Sequence, residues 1–124
     1  MSFSEFTQKD YEVISRNYAD LKEAARKRCS GEQELDVVQK AFDFANEAHK
    51  NVRRRSGEPY ILHPIAVAKI VVNDIGLGYK SIAAALLHDV VEDTDWTMED
   101  LRAAGFPETV LEAVQLLTHD PAVP

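Results

Sequence analysis

His88 and Asp89 stand where the sequence least favours polar groups, directly after the wholly apolar run from Ile82 to Leu87. Polar side chains in so buried a segment need partners. Glu92 and Asp93 follow within one helical turn. Residues four apart share a helical face, so His88 stacks with Glu92, and Asp89 with Asp93, if the helix runs that far. His63 lies at the head of the preceding apolar segment, just before Pro64. As a helix, Pro64 to Asp74 is about 16 Å long at ~1.5 Å per residue, and Lys80 to His88 returns a similar distance. A short turn between them implies antiparallel packing, which brings His63 beside His88 and Asp89. Two imidazoles and a carboxylate form a partial shell for a divalent transition metal, with positions left open for water and substrate. Each piece also has a plainer reading. A His–Asp dipeptide is commonly a hydrogen-bonded pair, and His63 alone reads as a helix cap. Spacing, burial and the carboxylates crowded at residues 89–95, with no Lys or Arg among them, favour the metal. Two other histidines read differently. His49 is a packed, hydrogen-bonded core histidine, and His119-Asp120 repeats the dipeptide at a helix end before Pro121 without forming a ligand pair.

Six helices must position these groups. Thr7 with Asp10 marks a first helix, whose apolar positions Tyr11, Ile14, Tyr18, Leu21 and Ala25 recur at spacings of three and four up to about Ser30. Leu35, Val38, Phe42, Ala45, His49 and Val52 repeat the pattern in a second, which breaks at the polar stretch 53–59. Pro64 opens a third as its first residue, and Gly76 and Gly78 stop it. The fourth, from about Lys80 to Val91, is almost entirely Ala, Leu, Ile and Val and should be the buried centre of the fold. Its stripe of Ser81, Ala84 and Ala85 would let another helix approach closely. Thr97 with Asp100 starts a short fifth helix ending at Gly105, and Pro107 begins a sixth that runs to about Thr118. No strand-like alternation of useful length is present. The expected fold class is all-α, one domain over residues 1–124.

Composition sets the outer limits. The 124 residues carry 14 Lys+Arg against 21 Asp+Glu, a net charge of −7. Residues 1–88 are nearly balanced, whereas residues 89–124 hold nine acidic side chains and one basic, Arg102. An acidic chain is a poor binder of a nucleic-acid backbone, so no nucleic-acid partner is expected. The apolar runs fall far short of the ~20 residues of a membrane span, and the N-terminal Met-Ser-Phe-Ser-Glu-Phe has no secretory pattern. With Cys29 as the single cysteine, no disulfide forms within the chain. A cytoplasmic protein without a membrane partner is expected. The runs Arg26-Lys27-Arg28 and Arg53-Arg54-Arg55 are basic. The first suits a helix end, and the second invites a role in anion binding.

From Ala41 to about Thr118 the chain resembles the hydrolase domain of the RelA/SpoT homologues, within the wider HD superfamily of metal-dependent phosphohydrolases. The resemblance rests on Ala48-His49, on Arg54-Arg55-Ser56-Gly57-Glu58-Pro59-Tyr60-Ile61-Leu62-His63-Pro64, and on Ala84-Ala85-Leu86-Leu87-His88-Asp89-Val90-Val91-Glu92-Asp93-Thr94. It implies that His63, His88 and Asp89 bind a metal, usually manganese. It implies that Glu92 and Asp93 position and activate the attacking water, and that Arg54, Arg55 and Ser56 contact a guanine nucleotide. The implied activity is removal of the 3′-pyrophosphate from the alarmones ppGpp and pppGpp. The chain resembles the small alarmone hydrolases more than the long bifunctional enzymes. The superfamily pattern H…HD…D ends in an Asp from a downstream helix, approximately Lys-Leu-Ala-Asp in these homologues, and no such segment occurs in the 124 residues. The expectation is a fragment of a longer protein, with apolar helix faces that invite self-association. The alternatives are an HD phosphohydrolase acting on another nucleotide such as NADPH, and a catalytically incomplete helical module that binds a nucleotide or a partner.

Overall fold

A computed structural model describes residues 2–117. His119 and Asp120 lie outside the described residues. The elements in chain order are β1 (Ser2–Phe3), α1 (Gln8–Arg26), α2 (Glu32–Ala48), β2 (Val52–Arg53), α3 (Leu62–Ile70) leading into a π-helical turn (Val71–Ile75), α4 (Tyr79–Asp93), α5 (Met98–Ala103) and α6 (Glu108–Leu117). The fold is all-α, as the patterning predicts, and none of the described helices is long and apolar enough to cross a membrane.

The two Thr-x-x-Asp signals act as expected. The Thr7 hydroxyl accepts from the Asp10 amide at 3.2 Å while the Asp10 carboxylate accepts from the Thr7 amide at 2.8 Å, and Thr97 with Asp100 repeats the pair. Each box satisfies two amides that the first helical turn leaves without partners. Pro64 departs from expectation, because α3 begins two residues earlier, at Leu62. The Leu62 and His63 amides donate to the Pro59 and Tyr60 carbonyls, so a tight turn carries the chain into the helix. Pro64 remains in the first turn, where a missing N–H costs nothing. His63 therefore sits inside that turn and is not its cap. The second helix also stops short of Val52, because Asn51 adopts φ 63 and turns the chain.

That turn makes a small feature that periodicity could not reveal. Val52 and Arg53 pair antiparallel with Phe3 and Ser2. The Asn51 carbonyl and side-chain oxygen accept from the Ser4 and Phe6 amides, both at 2.9 Å. Arg53 completes the strap with an ion pair to Asp10 at 2.7 Å. Hydrogen bonds from Arg53, then from Thr7, hold the Asp10 carboxyl down at about 2 against an ordinary 3.8. A folded-state value below the unfolded one contributes stability that is complete above pH 3.8 and is lost as the pH falls through 2. The Ser4 and Phe6 amide resonances are accordingly expected to move toward random-coil positions over that interval, followed by two-dimensional NMR. Asp10→Asn should show part of that movement at neutral pH.

Helix α4 is the centre. It packs against α2, α3 and α6, while α1 lies on α2 and α3, and α5 lies against α6. Ile82 through Leu87 and Val90 are buried on every side of it. Leu86→Ala would leave a cavity that its helical neighbours cannot fill, and is expected to cost about 2–5 kcal/mol. The check is a lowered urea midpoint at unchanged slope. At the periphery Ile70, Ile75, Leu77, Leu116 and Leu117 remain exposed, and on these the expected self-association would rest.

Candidate metal and nucleotide site

Helix α4 runs unbroken to Asp93, so His88, Asp89, Glu92 and Asp93 occupy its last turns with the four-residue stacking intact. Asp89 is the hub. It is 5% exposed, and its two carboxylate oxygens face different imidazoles: His88 Nε2 lies 3.0 Å from Oδ1, and His63 Nε2 lies 3.9 Å from Oδ2. The antiparallel return of α3 and α4 thus brings His63 to Asp89, as expected. His88 Nδ1 lies 3.1 Å from the Ala85 carbonyl. A carbonyl only accepts, so Nδ1 carries a proton and Nε2 is the atom turned to the site. One-atom contributions from His88, Asp89 and Glu92 lie within 4.8 Å of one another. His63 joins that trio through Asp89, with its own ring 40% exposed toward solvent.

The charges are mutually supporting. The hydrogen bond to Asp89 raises the His88 pKa, and burial opposes that rise without cancelling it. For Asp89, burial pushes the carboxyl up, but the hydrogen bond and charge of His88, the Tyr60 hydroxyl and His63 together outweigh it and the net shift is downward. Asp89 is held as a carboxylate beside nitrogen donors.

Tyr60 is the residue that sequence reasoning missed. Its hydroxyl lies 3.2 Å from Asp89 Oδ2 and 3.0 Å from Asp93 Oδ2, so one phenol ties together two carboxylates a turn apart. Burial, then the Asp89 charge, raises its pKa and keeps it a donor. The only signal in the sequence is its place three residues before His63. His49 packs against the Tyr60 ring, with centroids 4.9 Å apart. It is buried as expected, but its Nε2 has no hydrogen-bond partner among the described residues, which departs at that nitrogen from the expected hydrogen-bonded histidine. The hydroxyl of the Tyr60 ring on which it packs is committed to the two aspartates. Burial accordingly lowers the His49 pKa.

The basic run forms a second cluster. The Arg54 amide donates to the Glu58 carbonyl at 2.9 Å and the Gly57 amide to the Arg54 carbonyl at 2.8 Å, closing a tight turn. Gly57 has φ 94, a value a side chain would strain. Arg54, Arg55 and Ser56 are exposed on this turn. Glu58 Oε1 accepts from Ser56 Oγ at 3.0 Å and lies 3.6 Å from Arg54 Nη1, so a carboxylate already occupies an anion position there. Tyr60 connects this turn to the acidic cluster. Its amide donates to the Val52 carbonyl at 2.8 Å, while its hydroxyl reaches Asp89 and Asp93.

Comparison with known proteins gives this arrangement a context. The chain is 42% identical over 86 residues to a guanosine-3′,5′-bis(diphosphate) 3′-pyrophosphohydrolase of Aquifex aeolicus (strain VF5), covering 69% of this chain and 12% of that protein. It is 43% identical over 84 residues to the bifunctional (p)ppGpp synthase/hydrolase SpoT of Escherichia coli (strain K12), covering 68% and 12% respectively. A probable GTP pyrophosphokinase of Mycobacterium leprae (strain TN) is 51% identical over 67 residues, which cover 54% of this chain and 8% of that protein. The chain thus spans about an eighth or less of the length of these relatives. Residues 41–119 match the HD domain. With His63 and His88 each set against Asp89 within that span, the chain belongs to the HD domain family.

Proposed function

We propose that this chain carries the hydrolytic centre of a guanosine-3′,5′-bis(diphosphate) 3′-pyrophosphohydrolase. The observation that carries the reading is Asp89, a buried carboxylate set between two imidazoles with Glu92 and Asp93 one turn beyond. HD domains depend on metal, and the donor set fits a divalent cation. Ligand atoms each about 2.1 Å from one ion stand about 3–4 Å apart; His88 is 3.0 Å from one Asp89 oxygen and His63 is 3.9 Å from the other. His63, His88 and Asp89 would hold it, and manganese is our choice of ion. Once bound, the cation supplies Lewis acidity toward the phosphoryl oxygens and the attacking water.

The remaining work falls to the chain itself. Glu92 shares the His88 face and would accept the water proton as general base. Asp93, held by Tyr60, would orient that water. Arg54 and Arg55 would grip phosphate through the guanidinium fork or stack on the purine, with Ser56 as a further donor. Glu58 has to swing away from Arg54 and Ser56 as the nucleotide enters. The water oxygen bonds to phosphorus as the bond to the ribose 3′ oxygen breaks, giving GDP from ppGpp, or GTP from pppGpp, and pyrophosphate.

The test is manganese-dependent release of pyrophosphate from ppGpp, with His88→Ala as control. It is run on this chain and on a version carrying a Lys-Leu-Ala-Asp helix after residue 124. Silence of both forms would remove the reading, and turnover of NADPH in place of ppGpp would move it to another nucleotide. Tyr60→Phe keeps the ring that packs on His49 and deletes the hydroxyl. Loss of such an outer partner typically costs ~10–100-fold in metal affinity or activity, and the same range is expected in manganese titrations and pyrophosphate release.

A further inference from the structure

The three consecutive arginines have different surroundings. Arg54 and Arg55 are exposed at the turn, whereas Arg53 turns back into the molecule and its side chain is only 14% exposed. Its Nη1 donates to the Gly57 carbonyl at 2.9 Å. Its Nη2 donates to the Glu5 carbonyl at 2.8 Å and to Asp10 Oδ2 at 2.7 Å. The guanidinium lies 5.2 Å from the centre of the Phe6 ring, and the Arg53 backbone pairs with Ser2 on one side and Pro59 on the other. Three acceptors reached from two separate nitrogens, plus a ring face, suit a planar fork, whereas an ammonium would have to reach all of them from a single nitrogen. The acceptors are also informative by position. Glu5 and Asp10 belong to the strap and the first turn of α1, while Gly57 is the positive-φ corner of the turn that presents Arg54, Arg55 and Ser56.

We propose that Arg53 is a positioning residue for nucleotide binding, bolting the N-terminal strap (residues 2–6) to the Arg54–Gly57 turn so that strap docking and nucleotide binding strengthen each other. The inference rests on the assignment of that turn to the nucleotide. A turn that must be ordered on binding subtracts its ordering cost from affinity, and one already clamped at Gly57 does not. Coupling of this kind is reciprocal, so bound nucleotide must also steady the strap.

The test uses the whole chain with manganese and ppGpp. Arg53→Gln is expected to weaken ppGpp binding by about five- to tenfold in calorimetry, with manganese affinity in the absence of nucleotide unchanged within about twofold. In the unsubstituted chain, ppGpp should slow hydrogen exchange at the Ser4 and Phe6 amides, and in Arg53→Gln that response should vanish. A merely structural arginine would not transmit it. Arg53→Lys keeps the charge but not the fork and should also lose the response. If Arg53→Gln does not fold, Asp10→Asn, which retains a capping oxygen, takes its place. Wild-type ppGpp affinity in a variant whose strap amides exchange rapidly would overturn the proposal. If neither the unsubstituted chain nor its extended form takes ppGpp, the nucleotide assignment fails, and the positioning role falls with it. Exchange at Gly57 then decides the remaining bolt: faster in Arg53→Gln supports it, and unchanged excludes it.

Discussion

Asp89→Asn is expected to abolish divalent-cation binding while leaving the helical bundle folded. The substitution keeps the shape of a side chain that is 5% exposed in the most buried helix, so packing around Leu86 and Val90 is undisturbed. Its polar needs remain met, because one amide atom can still accept from Tyr60 and the other can donate to His88 Nε2, whose ring is fixed through Nδ1 by Ala85. The negative charge between the two imidazoles is lost. A cation that meets neutral nitrogens and a neutral amide gives up its one buried anionic partner. A ligand should matter more than the outer partners whose loss costs ~10–100-fold, so a fall on the order of 1,000-fold or greater is expected. Manganese calorimetry reads the loss, thermal unfolding reads the retained fold, and pyrophosphate release should fall in step with binding. Wild-type manganese affinity in the Asn variant would mean that His88 and Asp89 form only a structural hydrogen-bonded pair.

The parts of this site that could be read in the sequence are those set by local spacing. Thr7 with Asp10 and Thr97 with Asp100 cap their helices because a box closes over three residues. His63 meets Asp89 because two helices of similar length separated by a short turn must return alongside each other. The departures are also physical. A prolyl ring suits any position of a first helical turn, so Pro64 alone could not say that α3 begins at Leu62. A heptad-like placement of Val52 could not foresee that Asn51 would take a positive φ and send it into β2. Tyr60 was silent because its partners are 29 and 33 residues away. Arg53 reads like Arg54 and Arg55 until Glu5 and Asp10, 48 and 43 residues distant, come into contact with it. The division of labour proposed for His88 and Asp89 on the metal and Glu92 on the water is different again. Helix pairing singles out His88 and Asp89 with His63, whereas the role of Glu92 rests on the family resemblance, since spacing alone puts it on the His88 face without saying whether it binds the metal or the water.

Glu92→Gln tests that ranking. As general base, Glu92 must accept a proton, and Gln has the same length and hydrogen-bonding reach without that capacity. Turnover of ppGpp is then expected to fall by ~10²–10⁴-fold, the usual worth of a positioned base, with KM and manganese affinity near their wild-type values. The opposite assignment is geometrically open, because a Glu92 oxygen lies within 4.8 Å of the donor atoms of both His88 and Asp89. Were it a ligand, manganese affinity would drop together with turnover, and raising the manganese concentration would restore the rate. Saturating metal therefore separates the roles: a missing base stays missing however much cation is supplied. Asp93→Asn supplies the internal comparison. Tyr60 can still donate to its side-chain oxygen, so a water-orienting Asp93 should cost less than Glu92 when neutralised. A larger loss at Asp93 would transfer the proton-accepting role to the carboxylate that Tyr60 holds.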